Sequence, residues 1–510
     1  MADSRQRILE RLNALAPDRL AGIRRGIEKE SLRVSRETGT LAMTPHPAAL
    51  GSALTHPCIT TDFSESQIEL ITDVHDDAES CLRELTRIHD FVYRAMADEM
   101  LWVASMPCRL PADDTIPIAR YGSSNIGRAK SVYRTGIGHR YGRRMQTISG
   151  IHYNWSMPGI DTPGYFALIR NFRRHVFLPI YLFGASPAVD ASFVAGRAHP
   201  LQDLGEGSFG RPHATSLRMG RLGYQSDAQA ALTVSYNCLD SYAASLHQAM
   251  VVPYPAYERI GLRDAAGEYK QLSTTLLQIE NEFYGTIRPK RVIRKGERPL
   301  HALRERGVEY IEVRCMDLDP FVAIGIEPAT VRFLDMFLLH CLLSDSPPDS
   351  PAEFAALARN QEAVTSRGRE PGLRLERNGH EVVLVEWGEQ LLDELSPIAA
   401  TLDARSGGTA YQASLDDARS RLGEPRQLPS ARVLAAMSAE FGGSHVEFAR
   451  ARSEAARKVL LAQPWTESDD AHFRRLAEAS RREQASLEAA DELTFESFRA
   501  QYLSPLQLLA

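Results

Sequence analysis

Residues 22–34 read GIRRGIEKESLRV, and two carboxylates, Glu28 and Glu30, lie two positions apart among apolar residues of this stretch. In a β-strand, residues i and i+2 point to the same face, so both carboxylates would reach the same place. In a helix they would diverge by roughly 200°. An arbitrary E-x-E is more often a solvated strand face, but here Leu32 and Val34 share the face of the glutamates. Since adjacent anions repel unless a cation lies between them, the stretch indicates a strand that binds a divalent metal.

The composition is that of an ordinary globular protein. The chain has 510 residues, of which 44% are hydrophobic and 24% charged, and its formal net charge is −6. This charge excludes a global basic field for nucleic acid or an anionic membrane. Residues 1–20 are charged throughout, so we expect no signal peptide, and the longest uncharged run, 176–189, is too short to cross a bilayer. Six dispersed cysteines without a C-x-x-C pair favour reduced thiols and a cytoplasmic location.

Other stretches with strand alternation add acids and one histidine. MQTISGIHYNWS (145–156) contains His152, and VEYIEVRC (308–315) contains Glu312. A lone histidine is more often structural than a ligand. His152 is therefore a candidate ligand only if it lies on the same sheet face as Glu28. The candidate metal ligands are Glu28, Glu30, Asp62, Glu69, His152 and Glu312. Oxygen-rich ligation with one imidazole suits Mg²⁺ or Mn²⁺ rather than zinc.

Basic residues accompany these acids. Residues 119–146 mix Arg, Lys and His with tyrosines and glycines, and we interpret them as loops of an anion-binding pocket. Arg314 shares a strand face with Glu312, either as a plain ion pair or to bind the anion that the metal also holds. Acids that bind Mg²⁺ beside arginines that bind anions indicate phosphoryl transfer. No Walker A loop or kinase motif set is present, and LGEGSFG (204–210) is interpreted as a flexible loop because no strand precedes it and Pro212 follows.

The chain divides most readily at DSPPDSP (345–351), the best candidate linker. Beyond this linker charged helical patterns predominate, and helices are predicted over 352–366, 388–404, 410–421, 430–462 and 468–501. We therefore predict a catalytic region over 1–345 and a mainly helical C-terminal region over 346–510 that packs on it.

Several longer motifs carry a family resemblance. In chain order they are GIRRGIEKESLRV, SALTHPCITTDFSESQIELIT, YGSSNIGRAKSVYR, MQTISGIHYNWS, ATSLR, LQIENEFYGTIRPKR and GVEYIEVRCMDLDPF. Together they resemble the proteobacterial type 1 family of glutamate–cysteine ligases (γ-glutamylcysteine synthetases). That family is distantly similar to glutamine synthetase. The resemblance implies an α+β fold in which a curved, mainly antiparallel sheet forms an active-site funnel, with surrounding helices and a helical C-terminal region.

The resemblance also implies a role for each candidate residue. The implied ligands of one metal ion are Glu28, His152 and Glu312, and those of a second ion are Glu30, Asp62 and Glu69. The implied catalytic residues are Glu28, Glu312 and Arg314. The implied substrate-binding residues are Tyr133, Arg134, Gln146, Arg218, Tyr224 and Tyr284. The implied nucleotide-binding residues are Lys290, Arg291 and Arg314.

The implied reaction is ATP-dependent ligation of the γ-carboxylate of L-glutamate to the amine of L-cysteine through γ-glutamyl phosphate. Its product, γ-glutamylcysteine, is the precursor of glutathione. Phosphorylation is needed because an unactivated carboxylate has a poor leaving group, and metals are needed because both reactants are anionic. The resemblance implies feedback inhibition by glutathione, and we expect a monomer without nucleic-acid or membrane partners. Two alternatives stay open: a ligase with another amine acceptor, and a nucleotide-binding or regulatory protein without catalysis.

Overall fold

The stretch that contains Glu28 and Glu30 forms one long strand inside an antiparallel sheet. The structure is a computed structural model that describes residues 2–223, 227–230, 232–294 and 296–505. Within these ranges the strands are β1 (Arg24–Ser35), β2 (Ile59–Thr61), β3 (Gln67–Ile71), β4 (Glu99–Leu101), β5 (Ile151–Ser156), β6 (Ala188–Asp190), β7 (Gln202–Gly205), β8 (Ser208–Gly210), β9 (Ile287–Lys290), β10 (Tyr310–Met316), β11 (Arg374–Arg377) and β12 (His380–Val383).

Helices form much of the remaining structure. In chain order they are α1 (Ala2–Asn13), α2 (Pro17–Ala21), α3 (Ala78–Ala95), α4 (Asn125–Tyr141), α5 (Thr162–His175), α6 (Phe177–Phe183), α7 (Ala191–Val194), α8 (Asp227–Ala230), α9 (Leu239–Val251), α10 (Pro255–Ile260), α11 (Pro299–Arg306), α12 (Pro328–Leu343), α13 (Pro351–Arg367), α14 (Leu384–Ser406), α15 (Ala410–Gly423), α16 (Pro429–Glu440), α17 (His445–Leu461), α18 (Glu467–Ala489) and α19 (Phe495–Tyr502). Short 3₁₀ turns lie at Ala48–Leu50, Asp113–Thr115, Met145–Thr147, Glu280–Glu282 and Pro425–Gln427.

The largest sheet in the described ranges has seven strands. Six of them lie in the order β2-β3-β1-β5-β10-β9, and β4 pairs with the C-terminal end of β1. Every pair in this sheet is antiparallel. The predicted α+β class, with a mainly antiparallel sheet and surrounding helices, is confirmed. Because strand residues alternate between faces, Glu28 and Glu30 share one face of β1 while Ile27 and Lys29 occupy the other.

Helices α3 and α12 cover the sheet face that lies opposite the two glutamates. The Nζ atom of Lys29 lies 2.6 Å from Nε2 of His89 on α3, and both side chains are buried. On the same face Arg25 pairs with Asp335 of α12, with 2.9 Å between Nη2 and Oδ2. Tyr153 of β5 donates its hydroxyl to the same carboxylate at 2.7 Å. These buried contacts fix one face of the sheet and leave the face of the glutamates available for a site.

One stretch interpreted as a flexible loop is a hairpin instead. LGEGSFG (204–210) joins β7 to β8, which pair with each other in antiparallel fashion. The two connecting residues, Glu206 and Gly207, have φ values of 48° and 69°. Positive φ at both central positions is typical of the tight turn that joins two antiparallel strands. The loop interpretation was wrong because a strand, β7, does precede the motif, and its exposed polar residues Gln202 and Asp203 give no apolar alternation by which to recognise it.

The basic stretch 119–146 is also more regular than expected, since it contains the helix α4 rather than loops alone. Its glycines serve close packing. A Cβ atom at Gly127 would lie 2.3 Å from the carbonyl oxygen of Tyr121, and one at Gly136 would lie 2.3 Å from Oε1 of Gln278. Glycine is therefore required here by neighbouring segments and not by a loop conformation.

The chain beyond the candidate linker is mainly helical, as predicted. In this part α14 and α15 pack on α12, α17 packs on α3 and β4, and α19 packs on α4. The helices predicted over 430–462 and 468–501 are each divided in two. The first division falls at Gly442 and Gly443, whose φ values of 59° and 91° are incompatible with a continuing helix. The boundary between regions at residue 345 stays a prediction.

Two observations concern the chain as a whole. The six cysteines all lie in the described ranges and are free thiols, five of them buried. Among the helices that the structure describes, none is both long and apolar enough to span a membrane.

Candidate active site

Strand register brings the candidate ligands onto one face of the sheet. Glu28 of β1 lies opposite His152 of β5, and Glu30 lies opposite Glu69 of β3. Glu312 lies on β10, which pairs with β5 on the side opposite to β1. The side chains of His152 and Glu28 therefore lie on the same face of the sheet, as is required if His152 is to be a metal ligand.

The histidine lies among three carboxylates. Its Nδ1 atom is 3.2 Å from Oε2 of Glu28 and 4.0 Å from Oε1 of Glu312. Its Nε2 atom is 4.0 Å from Oε1 of Glu30. In addition, ligand atoms of Glu28, Glu69 and His152 lie within 4.8 Å of one another. Separations of this size suit donor groups that converge on a small cation.

The electrostatics of the site also favour a cation. Burial and the charge of Asp62 raise the pKa of Glu30 to about 8. Burial and the charge of Glu28 raise the pKa of Glu69 well above its ordinary value. The Nε2 atom of His152 is buried and has no hydrogen-bond partner in the described part of the chain. Crowded carboxylates with a buried, unpartnered imidazole nitrogen form a donor set that fits Mg²⁺ or Mn²⁺.

Glu312, in contrast, is compensated by basic side chains. Lys290 Nζ lies 2.9 Å from its Oε1, Arg314 Nη1 lies 2.8 Å from its Oε2, and Arg288 Nη1 lies 3.9 Å from its Oε2. Burial alone would raise the pKa of Glu312, but the charges of Lys290 and Arg314 hold it well below the ordinary value. Arg288 is not among the site residues predicted from the sequence. Its spacing of two residues from Lys290 on one strand is a signal that places both on one face.

A cavity of about 560 Å³ lies over this face of the sheet. All six candidate metal ligands line it, namely Glu28, Glu30, Asp62, Glu69, His152 and Glu312. The other sequence candidates on its wall are Tyr133, Arg134, Gln146, Tyr284, Lys290 and Arg314. A cavity of this size, with convergent charged groups, suits small-molecule ligands.

The candidate substrate residues are held in place along the cavity wall. Gln146 donates from Nε2 to the hydroxyl of Tyr284 at 2.9 Å. Arg134 donates to the backbone carbonyl of Asp62 and, at 3.1 Å, to that of Lys130. The guanidinium of Arg134 is thereby fixed beside the acids, where an anionic substrate would lie.

Two of the described sequence candidates do not line the cavity. Arg218 is fully buried, donates from Nη2 to the carbonyl oxygen of Arg314 at 2.9 Å, and has Nη1 3.7 Å from Oδ1 of Asp317. Arg291 donates to two backbone carbonyls at the C-terminal end of α11. Tyr224 lies outside the described residues. The structure therefore brings the metal candidates together but leaves two of the candidate arginines outside the cavity.

Known proteins of similar sequence and structure indicate which family has this fold and site. The family model described as glutamate–cysteine ligase matches residues 9–364. A glutamate–cysteine ligase from Alcanivorax borkumensis is 47% identical over 519 residues, covering 98% of each chain, and one from Azotobacter vinelandii is 48% identical over 504 residues, covering 94% of each. The crystal structure of glutamate–cysteine ligase from Francisella tularensis in complex with AMP matches with a TM-score of 0.90 and 34% identity, covering 96% of this chain and 98% of that one. The chain belongs to the glutamate–cysteine ligase family.

Proposed function

We propose that this chain ligates the γ-carboxylate of L-glutamate to the amine of L-cysteine in an ATP-dependent reaction that gives γ-glutamylcysteine. The observation that carries the proposal is the convergence of carboxylates, an imidazole and basic side chains on one sheet face within one cavity. The curated relatives have this activity in their names. The AMP bound to the Francisella relative supports ATP as the cosubstrate.

The donor set on the sheet fits divalent metal ions. The proposed ligands of one ion are Glu28, His152 and Glu312, and those of a second are Glu30, Asp62 and Glu69. Mg²⁺ or Mn²⁺ bound there would neutralise the charge of the ATP phosphates. The buried Nε2 atom of His152 and the raised pKa of Glu30 support this assignment, since both a free imidazole nitrogen and crowded carboxylates gain from a cation.

In the first half-reaction an oxygen of the glutamate γ-carboxylate attacks the γ-phosphorus of ATP. The bond to the β–γ bridging oxygen breaks, and the products are γ-glutamyl phosphate and ADP. Arg314 and Lys290 line the cavity beside Glu312, which holds them at 2.8 Å and 2.9 Å. Basic groups that are already oriented stabilise the charge of the transferring phosphoryl group without a reorganisation cost.

In the second half-reaction the cysteine nitrogen attacks the acyl carbon of γ-glutamyl phosphate. The carbon–oxygen bond to phosphate breaks, inorganic phosphate leaves, and the nitrogen loses a proton as the amide forms. We assign Tyr133, Gln146 and Tyr284 to the cysteine pocket and Arg134 to a substrate carboxylate, which a planar guanidinium can bind bidentately. We assign Arg218 to the positioning of Arg314 rather than to substrate binding, because it is buried and donates to the backbone carbonyl of Arg314 on β10.

The experiment couples ADP release to a spectroscopic readout for the purified chain with Mg²⁺, ATP and glutamate. ADP release is expected only when cysteine is also present, and mass spectrometry should identify γ-glutamylcysteine. Ammonia is the matched control acceptor, since it leaves the proposed cysteine pocket empty. Equal rates with ammonia and cysteine would contradict the proposed acceptor. Inhibition by glutathione and a monomeric state stay predictions, and so does the identity of the metal as Mg²⁺ or Mn²⁺, which rests on the oxygen-rich ligand set.

A further inference from the structure

One residue on the wall of the substrate cavity comes from near the C-terminal end of the chain. Tyr502, at the end of α19, lines the cavity together with Leu272, Ile279 and Pro299. We call these four residues the apolar wall. The charged residues described above belong mainly to the strands of the sheet, so the cavity combines a charged floor with this apolar wall.

Helix α19 is fixed to the apolar wall by side-chain packing. Phe495 is buried in a cluster with Leu272 and with Ala129 of α4, and Phe498 packs against the same cluster. Arg499 donates from Nη1 to the carbonyl oxygen of Leu272 at 2.6 Å. Because Leu272 itself lines the cavity, α19 and the apolar wall form one packing unit.

A buried ion pair positions Tyr502. Arg298 and Glu280 are both buried, with 2.5 Å between Nη2 and Oε2. Arg298 also donates from Nη1 to the carbonyl oxygen of Tyr502 at 2.7 Å, and its guanidinium carbon lies 4.8 Å from the centre of the tyrosine ring. Such a pair is costly to disrupt, because removal of one partner leaves a buried charge. The backbone and the ring of Tyr502 are therefore both held against the cavity.

We propose that Tyr502 is a nucleotide-binding residue that packs against the base of ATP, so that α19 completes the nucleoside end of the cavity. The inference rests on the proposed function. Both amino-acid substrates carry an ammonium and a carboxylate, whereas a purine base carries no charge and would lose less hydration against the apolar wall. A purine presents flat faces that stack favourably on an aromatic ring. With the phosphates at Lys290 and Arg314, the nucleoside is the part of the substrates that suits this wall.

The test compares the full-length wild type with Tyr502→Ala and Tyr502→Phe. Isothermal titration calorimetry measures the Kd of AMP, and steady-state kinetics measure KM for ATP, glutamate and cysteine. Tyr502→Ala is expected to raise the Kd of AMP and the KM of ATP about tenfold or more. KM for glutamate and cysteine is expected to stay within about twofold of wild type. Tyr502→Phe keeps the ring and is expected to behave as wild type.

Phe498→Leu is the matched control. The ring of Phe498 stacks on that of Tyr502, 5.7 Å away between centroids, but it lies outside the described cavity wall, and leucine keeps apolar packing against the cluster of Phe495. An equal rise in the Kd of AMP for Phe498→Leu would overturn the inference, since it would mean that docking of the helix alone matters. An unchanged Kd in Tyr502→Ala would overturn it as well. Failure of the proposed function is distinguishable, because the wild type would then form no ADP with glutamate and cysteine.

Discussion

Glu69, which is half-buried, and Glu312, which is buried, are both carboxylates of the candidate site, but their surroundings act on them in opposite directions. Burial and the charge of Glu28 raise the pKa of Glu69, whereas Lys290 and Arg314 lower that of Glu312 against the effect of burial. In the metal-free chain, Glu69→Gln removes repulsion and is expected to raise the free energy of unfolding by about 1 kcal/mol. Glu312→Gln leaves buried basic groups unpaired and is expected to lower it by about 3 kcal/mol.

The measurement is urea unfolding of both variants in the presence of a metal chelator, together with the ADP-release assay in Mg²⁺. Both variants are expected to lose about 100-fold or more in turnover, because each removes a charged group from the floor of the cavity. Stability changes of the same sign for the two variants would contradict the opposite electrostatic environments. Turnover near wild type would remove the residue concerned from the proposed site.

The two arginines predicted to bind substrate, Arg134 and Arg218, are expected to differ in how their substitution by lysine changes KM, kcat and stability. Arg134 lines the cavity, so Arg134→Lys should raise KM for an amino-acid substrate at a cost of about 1.5–3 kcal/mol. Arg218 is buried and donates to the backbone of Arg314, so Arg218→Lys should lower kcat and the free energy of unfolding with little change in KM. Steady-state kinetics and urea unfolding separate the two. A rise in amino-acid KM with unchanged stability for Arg218→Lys would restore its role as a substrate contact.

At the residue scale the sequence located the acids better than the arginines. Glu28 and Glu30 show their common face through a spacing of two in an apolar strand, which is a local signal. The burial of Arg218 depends on its contact with Arg314, far along the chain, and no local pattern shows such a contact. The same holds for Arg291, whose partners lie at the end of a helix that follows it.

At the element scale β1, β3, β5 and β10 were predictable because strand alternation survives in each of them, whereas β9, with the sequence IRPK, shows none. Residues 119–146 were not, because the glycines and arginines of α4 hide its helical period. The structure gives a tertiary reason for these residues. Gly127 faces the backbone of Tyr121, while Arg140 donates to Glu282 at 2.8 Å. Local propensity was overridden here by contacts that only the folded chain provides.

This origin of the α4 glycines can be tested by a matched pair of substitutions. Alanine is about 1 kcal/mol more favourable than glycine within a helix, so propensity alone predicts that both changes stabilise. A Cβ atom at Gly127 would lie 2.3 Å from the backbone oxygen of Tyr121, whereas the nearest atom to one at Gly138 is a side-chain carbon of Arg143 at 3.2 Å. Gly127→Ala is therefore expected to lower the free energy of unfolding by about 1–3 kcal/mol, and Gly138→Ala to leave it unchanged or raise it. Urea unfolding of both variants measures the change in the free energy of unfolding. Equal changes for Gly127→Ala and Gly138→Ala would contradict a packing role for Gly127.

At the scale of the whole molecule, the cavity combines residues from β1 with a residue of the last described helix. Tyr502 could not be placed there from sequence, since helical periodicity shows which residues share a face but not what that face contacts. The docking of α17 on α3 and β4 is of the same kind. The family motifs, which lie mainly before the candidate linker, predicted the floor of the cavity but gave no information on how the C-terminal helices complete it.

The docked position of α17 should be visible in the pH dependence of stability. His445, the first residue of α17, is buried, its backbone N–H donates to Ser208 Oγ at 2.8 Å, and its ring lies edge-on to Trp102. Burial lowers the pKa of His445 to about 4, with a partial offset from Asp190. The unfolded chain binds a proton at this residue near pH 6.5, but the folded chain does not until about pH 4. Its contribution to stability is therefore complete above about pH 6.5 and is lost as the pH falls toward 4.

The shift corresponds to about 3 kcal/mol, at about 1.4 kcal/mol for each pKa unit. Urea unfolding of wild type and His445→Gln at several pH values between 7 and 4 measures it as a difference, so that other titrating groups cancel. The free energy of unfolding of the wild type is expected to fall relative to that of the variant by about this amount as the pH is lowered from 7 to 4. His380→Gln is the matched control, because it replaces a histidine that is exposed in the fold. A difference between wild type and His445→Gln that is the same at pH 7 and pH 4 would mean that α17 does not exclude water from this histidine, and the docked position of the helix would then be wrong.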